Sequence, residues 1–143
     1  MKKAVAACLL GTLLAGNAMA RNTTHMLNWS DAVESSEAKA LLDDSVKLKF
    51  GAKSAPAGAQ AKGEHTANSI EKGKDDIEAC RKAAVRALLE LQHGAKRADA
   101  DAVVNIISYY KKTVFSSATQ YECHAGGTGG HITFKGDFVK LRK

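Results

Sequence analysis

The chain has 143 residues, a formal net charge of +6 and three cysteines, with 45% hydrophobic and 6% aromatic residues. That length suits one hydrophobic core and excludes a large multidomain enzyme. The basic residues come in scattered pairs, such as Lys47 with Lys49, Lys72 with Lys74 and Lys111 with Lys112. They read first as solvated faces, and second as a weak attraction to anionic lipid heads or polysaccharide.

Residues 1–20 have the three parts of a secretory signal peptide: Lys2 and Lys3, an apolar run, and the small residues Ala18 and Ala20 around Met19. The apolar run is shorter than the roughly 20 residues that cross a bilayer, so no membrane span is expected. Two lysines before a short apolar core have a bacterial character, which makes the periplasm the expected location. Residues 21–143 then form a single α+β domain. Nucleic acid is not an expected partner outside the cytoplasm.

Residues 21–42 open polar and continue into a helical stretch that Ser30 and Asp31 can cap. Residues 46–50 alternate strictly and predict a short strand with one wet face. Residues 51–63 are rich in Ala, Gly and Lys, hold the only proline, Pro56, and read as a loop. A weak strand is expected over residues 64–70. The clearest helix spans residues 75–98. Its Asp75 and Asp76 suit the positive N-terminal end, and Ile77, Cys80, Ala84, Leu88, Leu91, Ala95 and Ala98 recur on one face.

Residues 102–110 are rich in β-branched and aromatic residues and predict a central strand. A second strand covers residues 118–123, with Tyr121 and Cys123 on one face and Gln120 and Glu122 on the other. A third covers residues 131–141, with Gly136 as a candidate bulge. The expected fold is α+β: an antiparallel sheet of three to five strands, with one main helix (75–98) packed on one face.

Cys8 departs with the signal, so Cys80 and Cys123 remain, and in an oxidising compartment they predict one disulfide. Cys80 lies on the apolar stripe of the helix. Cys123 shares the Tyr121 side of its strand, so both sulfurs point into one layer. Free buried thiols are the other reading.

The most unusual segment is residues 124–131, with Gly126, Gly127, Gly129 and Gly130 between His124 and His131. Such glycines allow close backbone approach, either within a flexible hairpin loop or at a binding loop that meets a second copy of the chain. It is not a phosphate loop: the GxxxxGK[ST] spacing is absent, so no ATP binding is expected. The two histidines could hold zinc or copper if a third ligand arrived. Cys123 could be that ligand only if it were not bridged to Cys80. His25, His65 and His93 are isolated and expected to be solvated. No GxSxG elbow and no acid/base pair is present, so no enzyme activity or catalytic residue is expected. Tyr109 and Tyr110 beside Lys111 and Lys112 form either a binding edge or a plain strand end with one tyrosine in and one out.

Over residues 78–141, the run EACRKAAVRALLELQHGAKRADADAVVNIISYYKK, then YEC at 121–123 and KGDFVKL at 135–141, resembles a family of small exported bacterial proteins. Its members often carry an excinuclease label, "excinuclease ATPase", which does not fit a sequence with neither a Walker loop nor a zinc-finger array. The helix followed by ADAVVNI also resembles a broader group. That group includes the YbjQ-like proteins, described as heavy-metal binders, and the envelope stress sensor RcsF, which is disulfide-bonded. Two departures stand out: residues 99–103 lack the glycine usual before the core strand, and residues 124–131 are polar where the family has small apolar residues. The resemblance implies no cofactor and carries over no catalytic residue. The combined expectation is a non-enzymatic periplasmic binding or envelope-interaction module, its partner an unknown envelope component or a second copy. A metal-binding protein using His124 and His131 near Cys123 is the alternative.

Overall fold

The structure, a computed structural model, describes residues 20–142. The signal-peptide reading falls almost wholly on residues 1–19, outside the described residues. Among the described residues, no helix is long and apolar enough to cross a membrane.

The main helix, α3 (Asp76–Arg97), forms where the periodicity places it. The Asp75 carboxylate accepts a hydrogen bond from the Glu78 N–H at 2.9 Å, satisfying one of the orphan donors of the first turn. Asp76 and Glu78 lie at its positive end, Lys96 and Arg97 at its negative end. Cys80, Ala83, Ala84, Ala87, Leu88, Leu91 and Ala95 are all fully buried. Small residues on that face let the helix lie close to the sheet. Ile77, expected on the stripe, is 46% exposed, because the core begins at Ala79 and Cys80.

The sheet has six strands rather than three to five: β1 (Thr23–Asn28), β2 (Lys47–Phe50), β3 (Gln60–Glu71), β4 (Ala102–Ser108), β5 (Gln120–Gly126) and β6 (Gly129–Lys140). Their order is β1-β5-β6-β4-β2, with β3 also paired to β6. All pairs are antiparallel except β2 with β4, which run parallel. The extra strand is β1. Its pattern TTHMLN alternates half-buried and exposed, but Leu27 is the only aliphatic residue on the inner side, so the hydrophobic signal is faint. The short helices α1 (Trp29–Val33) and α2 (Ser36–Leu41) follow it. Ser30 and Asp31 fall inside α1, and it is Ser35 that caps α2, accepting from the Ala38 N–H at 3.1 Å.

Strand β6 organises the sheet. Strand β3 runs along one edge of it from Gly130 to Lys140. The other edge is shared: β5 pairs with Gly129 to His131, and β4 takes over from Phe134. The sheet therefore forks, and aromatic rings fill the fork on the helix side. Trp29 stacks on Phe50 with centroids 4.3 Å apart, and Tyr121 meets Phe134 edge-on at 5.7 Å. The bulge expected at Gly136 lies on the facing strand. Val104 pairs with Asp137 and Ile107 with Lys135, so β4 carries the extra residue, with Asn105 at φ 53°. Gly136 makes room for it: a Cβ there would sit 2.6 Å from Val103 Cγ1.

Cys80 and Cys123 are disulfide-bonded, with Cα atoms 5.9 Å apart and a sequence separation of 43. The bond ties the start of α3 to β5. Helices cover one face of the sheet. The other face carries a small apolar cluster of Ala102, Val104 and Val139 with Ala59 and Leu141; elsewhere the alternation of β5 and β6 sends Glu122, His124, His131, Thr133, Lys135 and Asp137 outward.

Candidate functional site

Residues 124–131 are not a loop but the tip of a hairpin. Strand β5 continues to Gly126, β6 begins at Gly129, and only Gly127 and Thr128 turn the chain. The extension follows from burial: Ala125 and Ile132 are each 1% exposed and pack toward the helix, which keeps both strands in register beyond Cys123. Gly126 pairs with Gly129, and His124 pairs directly with His131. The glycines serve close approach within the chain. A Cβ on Gly130 would stand 2.7 Å from the Cys80 backbone nitrogen and 2.8 Å from the Ala79 carbonyl carbon. One on Gly129, at φ 124°, would collide with the Glu71 carbonyl oxygen, and one on Gly126 with that of Arg21. Gly127 alone faces open space.

Cys123 and the two histidines lie on opposite faces of the hairpin. Cys123 is fully buried and bonded to Cys80, so its sulfur is unavailable to a metal. His124 and His131 line one 280 Å³ cavity with Arg21, Asn22, Tyr110 and Thr128. His124 is firmly held. Its ring stacks on Tyr110 with centroids 3.5 Å apart and planes 12° apart. Its Nε2 is in close contact with the Glu122 carboxylate, and its Nδ1 is 3.3 Å from Asn22 Oδ1. The His131 Nε2 lies 2.7 Å from Thr128 Oγ1. Among the described residues, no group of three or more His, Cys, Asp or Glu side chains is placed to hold a metal ion.

Beside this pair stands a cationic corner. The Tyr109 N–H donates to the Thr133 carbonyl at 2.9 Å, but its backbone, φ −141° and ψ 39°, leaves the strand conformation. The alternation breaks there. Both tyrosine rings consequently meet partners on the polar face: the Lys135 ammonium lies 4.9 Å from the Tyr109 ring centroid, and Tyr110 covers His124. The expected arrangement of one tyrosine in and one out is not found; both are half-buried. Lys111 and Lys112 follow at φ 49° and 62°. Consecutive left-handed residues other than glycine are costly and persist where the surroundings fix them. Both lysine side chains are exposed.

A second cluster, with no signal in the sequence, stands at the start of α3. Arg21 grips Asp76 through both guanidinium nitrogens, at 2.7 and 3.0 Å, and His25 Nε2 lies 2.9 Å from the same carboxylate. The hydrogen bond from Arg21, then that from His25, holds the Asp76 carboxyl well below the usual carboxylate range. Asp76 in turn raises Arg21. A carboxylate held this way binds a proton poorly and is no general base. His65 is not isolated either: it stacks on Phe138 at 5.9 Å and lies 3.4 Å from Glu90.

Set against family models, curated proteins and solved structures, the chain matches none of them.

Proposed function

We propose that this chain is a non-enzymatic periplasmic binding module that contacts an envelope component through the polar face of its sheet. The observation that carries this reading is the corner of Tyr110, Lys111 and Lys112 stacked over His124. There, two exposed lysines stand at a fixed, left-handed turn beside a pair of aromatic rings. Aromatic and cationic groups held on a rigid support make contacts of low conformational cost. Surface cations attract anionic lipid heads, polysaccharide or an acidic protein, and that attraction falls with salt. The hydrogen-bonded histidines and the clamped Asp76 offer no paired acid and base, which favours binding over catalysis.

The test is retention of the purified chain on native envelope fractions as salt is raised. Retention at low salt should fall with ionic strength and be lost in Lys111→Glu/Lys112→Glu. Retention that ignores both salt and charge reversal would refute the reading. The metal-binding alternative draws on the direct cross-strand pairing of His124 with His131. Stoichiometric zinc or copper in protein recovered from periplasm, abolished by His131→Ala, would favour it instead.

A further inference from the structure

We infer that a second copy of this chain docks along the free edge of β3, in antiparallel register about a two-fold axis at Asn68. Strand β3 is paired only to β6, so its other edge carries unpaired backbone N–H and C=O groups over a twelve-residue strand. Natural sheets guard such edges with short strands, lysines, prolines or bulges. The edge strand β2 follows that rule: it has four residues, exposes Lys47 and Lys49, and its register breaks between Leu48 and Phe50. In β3 the protection stops early. Its one irregularity lies between Ala61 and Gly63, and from Gly63 to Glu71 the ladder with β6 is unbroken. No proline or lysine interrupts residues 63–71. Exposed Ile70, at 56%, sits on this otherwise polar stretch.

The side chains select the partner and the register. In an antiparallel homodimer, residues facing each other across the axis have numbers with a constant, even sum, because facing side chains must lie on the same side of the sheet. Centring on Asn68 places Glu64 against Lys72 of the other copy, and His65 against Glu71 of the other copy. Each contact occurs twice by symmetry. Thr66 then faces Ile70, and Ala67 faces Ser69. Moving the centre to Ala67 instead faces Glu64 with Ile70 and loses the Glu64–Lys72 pairs. Opposite charges facing across strands stabilise the pair, and like charges oppose it. Glu64 and Lys72 are both exposed in the isolated chain, so the pairing displaces no core contact. The edge lies across β6 from β5, so this contact leaves the Tyr110–Lys112 corner free.

Sedimentation of the purified chain over a hundredfold concentration range tests the contact, together with three surface variants. A reversible dimer is expected. Asn68→Cys, under a mild thiol oxidant, should give a covalent dimer, since Asn68 meets its own copy. Lys72→Glu should weaken the dimer on the order of tenfold, by opposing Glu64 twice. Glu64→Lys combined with Lys72→Glu should restore it, which a merely misfolded variant could not do. A monomer at every concentration would overturn the inference. So would a dimer that Asn68→Cys does not cross-link, or one whose strength the charge swap does not restore.

Discussion

His124 shows how much a single side chain is asked to do on this face. Only 12% of its side chain is exposed, yet it is polar, and it is accommodated by Glu122, Asn22 and the Tyr110 ring. Removing either ring should therefore cost the stack and loosen the corner. His124→Ala and Tyr110→Ala are each expected to lose about 1 kcal/mol, and the double variant less than their sum, in urea unfolding. Asp76 gives a second residue-scale expectation. Its folded pKa is depressed, chiefly by Arg21, so its stabilising effect is present above the ordinary carboxylate pKa. That effect is lost as pH falls below it toward the folded value. Melting temperature should drop on acidification, and Asp76→Asn should melt lower near neutrality and show a shallower acid drop. An equally steep drop would place the acid-sensitive group elsewhere. The histidines of this face were visible in the sequence, and so was the cysteine pair, because each follows from one local alternation. The Arg21–Asp76–His25 cluster was not, since Asp76 lies more than fifty positions from both partners, and an unrecognised strand and a helix start bring them together.

At the scale of elements, the disulfide and Gly130 both serve the junction between α3 and the β5–β6 hairpin. Closing a loop of this length removes unfolded-state entropy worth roughly 4 kcal/mol by the loop-entropy model. Cys80→Ser and Cys123→Ser should therefore lower the melting temperature by similar amounts, and the double variant should add little. Two unequal, additive losses would mean the sulfurs act separately. Gly130→Ala forces a methyl group against the helix backbone and should cost about 2–3 kcal/mol. Gly127→Ala, facing open space, should stay within about 0.5 kcal/mol of the parent chain. The helix, β2, β4 and most of β6 were legible because their apolar periodicity is strong. Strand β1, with one inward aliphatic residue, and the first part of β3, written in Gln, Ala, Lys and Gly, carry almost no such signal. Their strand state is imposed by pairing with β5 and β6. The glycine segment misled for the same reason: its composition is that of a loop, whereas its glycines answer to neighbours distant in sequence.

The whole molecule divides by face. Helices α1, α2 and α3 cover one side of the sheet, leaving Tyr110, Lys111, Lys112, His124 and Lys135 together on the other. The working surface is therefore expected on that polar side and not on the helices. Photo-cross-linking in living cells compares the two directly, with a photoreactive residue placed at Lys112 on the polar face or at exposed Lys39 on α2. A discrete adduct with an envelope component is expected from position 112 and none from position 39. No adduct from position 112, or the same adducts from both positions, would contradict a binding role for the polar face.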